Sequence, residues 1–518
     1  MSEAPVLIAC GTAQAPTTPE AVGFKAHNLA RMAALGLPVP PAFVLGTAWC
    51  GRQAALTPAD WQPGLDALTR ATGLRLGDAQ RPLLLSVRSG APVSMPGMMD
   101  TLLNIGLSDA TLPGLLRQCG NPRLGWDAYR RLVAGFGEVV LGLDSAAFEA
   151  DLQAVAAGRD EHSLDFTELR QLTRAHQATV LRLHGAPFPQ DAQAQLAAAI
   201  QAVFASWQAP KARAWRALKG LDERMGTAVT VQRMVFGNGG GRSGAGVGFT
   251  RHPSTGAPTP WVDFLFNAQG EDVVSGRRSA HGHEALAEVA PPVWAALLDA
   301  TRRLEQAFGD MQDFEFTVED DKLWLLQTRS GKRSRLAEAV IAMDLLDEGL
   351  ISAAQARERT AGLDEAALQV TRVEAEDASP LASAISAAPG VAVGEIVLDE
   401  AAARARHAAG VPVLLLRAEA ETGDIAALEL AQGLLTMRGA RTSHAAVVAR
   451  QLGKVCLVGC EALQIDLARR SVLLGEVCLP EGTVLTLDGE RGAVWRGAAR
   501  IVSAQPPGLW ARLQALRG

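Results

Sequence analysis

Apolar positions change period several times along the chain, and each change marks an element. Leu29, Met32 and Leu35 fall at helical spacing behind Lys25, and Gly36 stands where a helix over 25–35 would end. Pro38, Pro40 and Pro41 then lead into the strand-like run at 42–45. Leu-Leu-Leu-Ser-Val at 83–87 is a buried-strand pattern that delivers Arg88 into a loop punctuated by Gly90, Pro92, Pro96 and Gly97. Residues 113–220 are rich in Ala, Leu, Gln and Arg and poor in glycine, which predicts an inserted helical subdomain broken at Pro187, Pro189 and Pro210. Residues 227–236 alternate and are β-branched, as in a strand, and run into a glycine-dense loop over 237–248. Two alternating runs around Glu-Asp-Asp-Lys predict an antiparallel hairpin over 313–331.

Residues 336–352 have the pattern of an amphipathic helix, and 374–390 has the composition of a linker, so a domain boundary is placed near 380. Strand and helix then alternate as far as Met437, and 484–497 closes the region as a hairpin. Within it, 433–459 reads strand, loop, helix, strand. Gly433–Met437 is apolar, 438–443 is a polar loop, 445–452 is rich in Ala and Val, Gly453 suits a helix C-cap, and 455–458 is a buried-type strand. Thr442 and Ser443 are both good N-cap residues, which puts His444 on the first helical turn.

That position has chemical consequences. Unpaired N–H groups and the positive end of the dipole disfavour imidazolium, so His444 stays neutral and nucleophilic at pH 7. The same field favours an anion carried on the ring. A histidine at a helix start also serves for packing or capping, and spacing alone favours that use. In the hairpin, period two puts Asp313, Glu315 and Thr317 on one face and Phe314, Phe316 and Val318 on the other, while Gln327 and Arg329 share a face of the return strand. Neighbouring carboxylates suit Mg²⁺ bridging phosphates; a solvated charged face is the alternative. Lys25 suits a phosphate as a point charge and Arg88 as a bidentate fork, each also readable as a structural or surface cation. Glycines near Ser243 let backbone N–H groups approach phosphates, but no Lys-Ser/Thr ending marks a P-loop.

The 518 residues give a prior of about three domains. Hydrophobic content of 48% and charged content of 20% describe a globular chain with ample core. A net charge of −6 argues against bulk nucleic-acid binding. No apolar run approaches the ~18 residues of a membrane helix, and the amino terminus lacks a signal-peptide pattern, so a cytoplasmic location is expected. The six cysteines are scattered without metal-ligand spacing, which favours reduced thiols.

The segment Thr-Ser-His-Ala-Ala-Val-Val-Ala-Arg around His444 resembles the phosphohistidine signature of the pyruvate, phosphate dikinase family, and less closely that of phosphoenolpyruvate synthases, where Cys usually precedes the histidine. The longest resemblance is Ser-Val-Arg-Ser-Gly-Ala followed by Val-Ser-Met-Pro-Gly-Met-Met-Asp-Thr at 86–101. Likeness extends to 243–249, 266–276 and 313–331, and overall from about residue 20 to 497. It implies an α/β (α+β multidomain) chain: an ATP-grasp nucleotide-binding domain over 1–335 with the helical insertion 113–220, a helical linker over 336–380, and a swivelling β/α phosphohistidine domain over 381–505. By resemblance His444 is the residue phosphorylated and pyrophosphorylated. Lys25, Arg88, Glu271, Asp313, Glu315, Gln327 and Arg329 bind ATP and phosphate, Asp313 and Glu315 carry Mg²⁺, Gly244, Gly246 and Gly248 form a phosphate-covering lid, and Thr442 stands where plant dikinases are regulated by phosphorylation.

The chain departs from the family where Phe24 and Ala26 replace glycines beside Lys25. It departs again where Gly439-Ala440-Arg441 replaces Gly-Gly-Met, giving Arg441 a charge able to hold a phosphate. Residues 498–518 alone follow the closing hairpin, where complete dikinases continue into a pyruvate-binding barrel. The expectation is therefore a dikinase-like phosphotransferase using ATP and phosphate, with a separate PEP/pyruvate-barrel subunit and neither nucleic acid nor membrane as partner. A phosphotransferase with another acceptor, or a non-catalytic nucleotide-binding or phosphocarrier module, are the alternatives. Whether the chain forms a homo-oligomer is left open by the sequence.

Overall fold

The structure, a computed structural model, describes the chain apart from residues 1–3, 12–16, 94, 96–98, 275–282, 375–378, 421–423, 440, 442–443 and 505. It is a mixed α/β protein of two compact units. The first comprises Met1–Gly240 with Trp324–Thr328; the second comprises Gly241–Leu323 with Arg329–Gly518. Among the described residues no helix is long and apolar enough to cross a membrane.

The first unit is built on an antiparallel five-stranded sheet ordered Val6–Ile8, Ala42–Leu45, Ala228–Arg233, Leu85–Gly90, Thr101–Ile105. Residues 112–219 form a succession of helices, as expected, from Leu112–Cys119 to Pro210–Lys219. Phe43, Leu85, Val87, Val229 and Val231 of the sheet join Tyr129, Leu132, Leu196 and Phe204 of those helices in one core. The first long helix runs over Pro19–Ala34, earlier than its apolar spacing predicts, because Thr18 caps it and Pro19 is tolerated in the first turn. Its backbone breaks at Gly23, whose φ is 77°.

Arg88 lies inside the strand Leu85–Gly90, paired with Thr230 and Thr101, rather than in the loop beyond it. The ladder on both sides carries the strand further than the apolar run alone suggests.

In the second unit the strands Trp261–Phe266, Gly244–Phe249 and Gln312–Glu319 pair antiparallel, with the glycine strand in the middle. This corrects the expectation of a lid, because Gly244, Gly246 and Gly248 are buried strand residues. Their missing side chains make room for phenylalanine rings. A Cβ on Gly244 would lie 2.1 Å from Phe264, one on Gly246 2.3 Å from Phe316, and one on Gly248 2.8 Å from Phe314. Glycine density marks close packing here, not mobility. The hairpin after Glu319 turns through Asp320 and Asp321, both at positive φ (47° and 63°), as a two-residue hairpin turn requires. Buried Arg251 then ties the sheet to two helices, bonding Glu305 on one and Asp344 and Glu348 at the end of the other.

The rest of the second unit centres on an eight-stranded sheet. Val391–Val397, Val413–Arg417, Gly433–Thr436 and Val455–Val458 run parallel in it. Both faces of these strands are covered, which explains their unbroken apolar runs. Residues 381–388, which compose like a linker, form edge strands of this sheet. Ala382–Ser383 pairs with the strand Ala493–Arg496, and Ile385–Ala388 pairs with Val455–Val458. A terminal helix, Leu509–Arg517, buries Leu509 and Leu513 against the helix Arg335–Asp347.

Gly246→Ala is expected to lower unfolding stability by about 1–3 kcal/mol through overpacking. Urea or thermal unfolding of the purified variant measures it, and an unchanged midpoint would return the strand to the role of a loose lid.

Candidate functional site

Lys25 sits just beyond the break at Gly23, and the close packing there explains the break. The Gly23 backbone lies so near Gly90 that a Cβ would fall 1.9 Å from the Gly90 carbonyl oxygen. The Phe24 N–H donates to Ala91 O at 2.8 Å, and a Cβ on Gly90 would touch the Lys25 side chain at 3.8 Å. Lys25 is thereby set beside the end of the strand that carries Arg88. Positive φ is needed at Gly23, while Phe24 and Ala26 stand where the backbone accepts side chains. Gln327 also belongs to the first unit, next to Thr328, whose carbonyl accepts from Asn28 Nδ2 at 2.8 Å.

In the second unit, cross-strand pairing sorts the side chains. Trp261, Phe249 and Asp313 stand opposite one another, and Asp263, Val247 and Glu315 form the next row on the same face. Asp313, Glu315 and Asp263 thus share one face, with Phe264, Phe314 and Phe316 on the other. Arg329 Nε donates to Asp313 Oδ2 at 2.7 Å. Burial, opposed by Arg329, pushes the Asp313 carboxyl above the usual range. No cluster of three or more His, Cys, Asp or Glu that would cage a metal occurs among the described residues. Two hard carboxylates on one strand fit a Mg²⁺ ion carried mainly by phosphates, not one in a dedicated cage. Glu271 begins the short helix Gly270–Val274, and its side chain lies outside what is described. Asp272 accepts from the Gln269 N–H at 2.9 Å, a capping role.

His444 is the first residue of the helix His444–Gln451, on the first turn as expected, though its side chain is not described. Thr442, with Ser443, lies outside the described residues.

The residue whose partner the sequence does not reveal is Arg441. Its Nε donates to Asp263 Oδ1 at 2.7 Å, its Nη2 lies 2.6 Å from the same oxygen, and its guanidinium sits 4.5 Å from the Trp261 ring centre. Arg450, on the histidine helix, packs over Phe249 and Trp261 at 5.6 and 5.3 Å. It donates to Ala387 O at 2.7 Å and to Arg441 O at 3.2 Å. Burial pulls the Arg450 guanidinium down to about 10, so it remains charged at neutral pH. Asp263 is 2% exposed, and burial pushes its carboxyl up while Arg441 pulls it down. Arg441 and Arg450, which flank His444 in the sequence, thus both pack on the sheet face that carries Asp313 and Glu315.

His252 borders the same cluster. Its Nδ1 accepts the N–H groups of Ser254 and Thr255 at 3.2 and 3.3 Å, and its ring lies 5.3 Å from that of Trp261. Burial, reinforced by Arg441 and Arg450, lowers its pKa to about 4.

Residues 53–284 and 293–349 match the family model for the pyruvate phosphate dikinase AMP/ATP-binding domain, and 410–492 match that of the mobile domain of PEP-utilising enzymes. Pyruvate, phosphate dikinase 2 of Zea mays is 42% identical over 505 residues, covering 95% of this chain and 56% of the relative. The pyruvate, phosphate dikinases of Rhizobium meliloti (strain 1021) and Clostridium symbiosum are 40% and 39% identical, each match covering 95% of this chain, with 57% and 58% of the relatives covered. The chain spans a little over half the length of these relatives. It belongs to the pyruvate, phosphate dikinase family.

His252 sets a pH dependence. Its folded pKa of about 4 lies below the unfolded value near 6.5, so the unfolded chain binds the extra proton first. Stability is therefore expected to fall as pH drops from about 6.5 towards 4. The raised carboxyls of Asp263 and Asp313 act in the opposite sense, so the diagnostic quantity is the difference from His252→Gln. The variant should show a shallower decline in unfolding midpoint over this window, and an identical decline would remove His252 as the cause.

Proposed function

We propose that the chain performs the ATP- and phosphate-dependent steps of a pyruvate, phosphate dikinase reaction. The observation that carries this reading is the pairing of Arg441, three residues before His444, with Asp263 on the sheet face bearing Asp313 and Glu315. In this reading residues 1–335 form the ATP-grasp nucleotide-binding domain with its insertion at 113–220, residues 336–380 a helical linker, and residues 381–505 the swivelling phosphohistidine domain.

His444, neutral at its helix start, attacks the β-phosphorus of ATP. The bond from that phosphorus to the α–β bridging oxygen breaks, AMP leaves, and a pyrophosphoryl group remains on the imidazole. Inorganic phosphate then takes the terminal phosphoryl group as pyrophosphate, leaving phosphohistidine. Pyruvate, for which these relatives are named, is the final acceptor and yields phosphoenolpyruvate.

Lys25, Arg88, Glu271, Gln327 and Arg329 position the nucleotide and neutralise its phosphates. Lys25 contributes a compact charge and Arg88 a planar fork. Asp313 and Glu315 would hold Mg²⁺ against the polyphosphate, where the ion supplies charge neutralisation. Arg329 orients the Asp313 carboxyl and favours its ionised form against the effect of burial.

Incubation with Mg²⁺ and β-³²P-ATP is expected to give acid-labile, base-stable label on the wild type with release of AMP, and none on His444→Ala. Arg329→Gln should slow labelling by roughly a hundredfold. Absence of label on the wild type at saturating ATP would defeat the phosphotransfer reading and leave a nucleotide-binding module.

A further inference from the structure

We infer that Arg441 is a positioning residue, a latch that holds the His444 segment on the nucleotide-binding sheet by pairing with buried Asp263; this rests on the phosphotransfer reading above. Three observations support it. First, Arg441 lies three residues before His444, so extended-chain geometry keeps the two Cα atoms within about 11 Å. Second, its partner is built to receive it. The Asp263 side chain is 1% exposed and stands in the same cross-strand row as Glu315, two strands and about 10 Å away. The Arg441 guanidinium also lies over the Trp261 ring, a contact a flexible ammonium makes less well. Third, Arg450 braces the latch from behind. It bonds the Arg441 carbonyl and packs over the same tryptophan.

The cluster also retains unspent polar capacity. Asp263 Oδ2 and Arg450 Nη1 are both buried and have no hydrogen-bond partner among the described residues. An ion pair so placed is costly to open from one side only, because each partner left behind is a buried charge. Arg441 is engaged by protein, so its task is to seat the segment and not to hold a phosphate of ATP. The sequence places Arg441 where the family usually has methionine, which lacks the charge for this pairing.

The test compares the wild type with Arg441→Met, Arg441→Lys and Asp263→Asn. Three readouts are the rate of His444 labelling at saturating β-³²P-ATP, the dissociation constant for ATP, and amide hydrogen exchange over Trp261–Phe266. Arg441→Met and Asp263→Asn are expected to label roughly ten- to a hundredfold more slowly. ATP affinity should stay within about twofold of wild type, and exchange over the strand should be faster. Arg441→Lys, which keeps the charge without the fork, should recover part of the rate. Wild-type labelling and exchange in Arg441→Met would overturn the latch. Parallel loss of labelling and ATP affinity would also overturn it, because that marks a nucleotide contact. If the wild type itself takes no label, the phosphotransfer reading fails, and hydrogen exchange alone decides: unchanged exchange in Arg441→Met and Arg441→Lys rejects the latch.

Discussion

The second unit depends on the two-residue period of three strands. Successive side chains must point to opposite faces, so the pattern that gives Phe314 and Phe316 to one side gives Asp313 and Glu315 to the other. The phenylalanines close over the middle strand only because Gly244, Gly246 and Gly248 leave space. A side chain there would push the rings away and tilt the paired strands. The acidic face is thus positioned by an apolar face it never touches. The same register brings Trp261 level with Asp313 and Asp263 level with Glu315, which lets one sheet face carry the two strand carboxylates and the partner of Arg441 together.

Desolvation sets the terms for that seat. A carboxylate at 1% exposure cannot stay ionised without a cation, and Asp263 has Arg441 with Arg450 close behind. Arginine suits this place because its guanidinium is weakly hydrated and planar, so it can pair and lie against an indole together. His252 completes the logic: burial holds it neutral, reinforced by the adjacent Arg441 and Arg450. A proton there would add a third positive charge beside Trp261 and compete with the docking that Asp263 provides.

Much of this was legible in the sequence because it is local. The hairpin over 313–331 follows from alternation and a two-residue acidic turn, and the helix start at His444 from capping chemistry and Ala-Val content. The succession of helices over 112–219 follows from composition. What misled was context. Gly-x-Gly-x-Gly looks like a loop until aromatic rings from neighbouring strands are known to fill the missing side chains, and those rings lie up to 70 residues away, as Phe316 does from Gly246. Residues 381–388 compose like a linker because edge strands bury little, and the strand at Arg88 extends because both neighbours continue its ladder. Asp263 was not readable at all as a partner for Arg441. The pair is 178 residues apart, and nothing in local spacing announces it.

In the proposed phosphotransfer cycle a histidine carrier faces opposing demands, and the Arg441–Asp263 pair answers both. The seat must be specific, since a small misplacement of a nucleophile costs heavily in rate. It must also be reversible, since a phosphoryl group collected on one surface has to leave it. A broad apolar contact would meet the first demand and fail the second. A single buried ion pair is sharply oriented, yet its net worth is small, because pairing mainly offsets the cost of desolvation. Separation then has to return both charges to water together, so partial departures are penalised while complete ones are cheap. Two discrete positions are what such an energy profile favours, and a carrier that alternates between surfaces needs two.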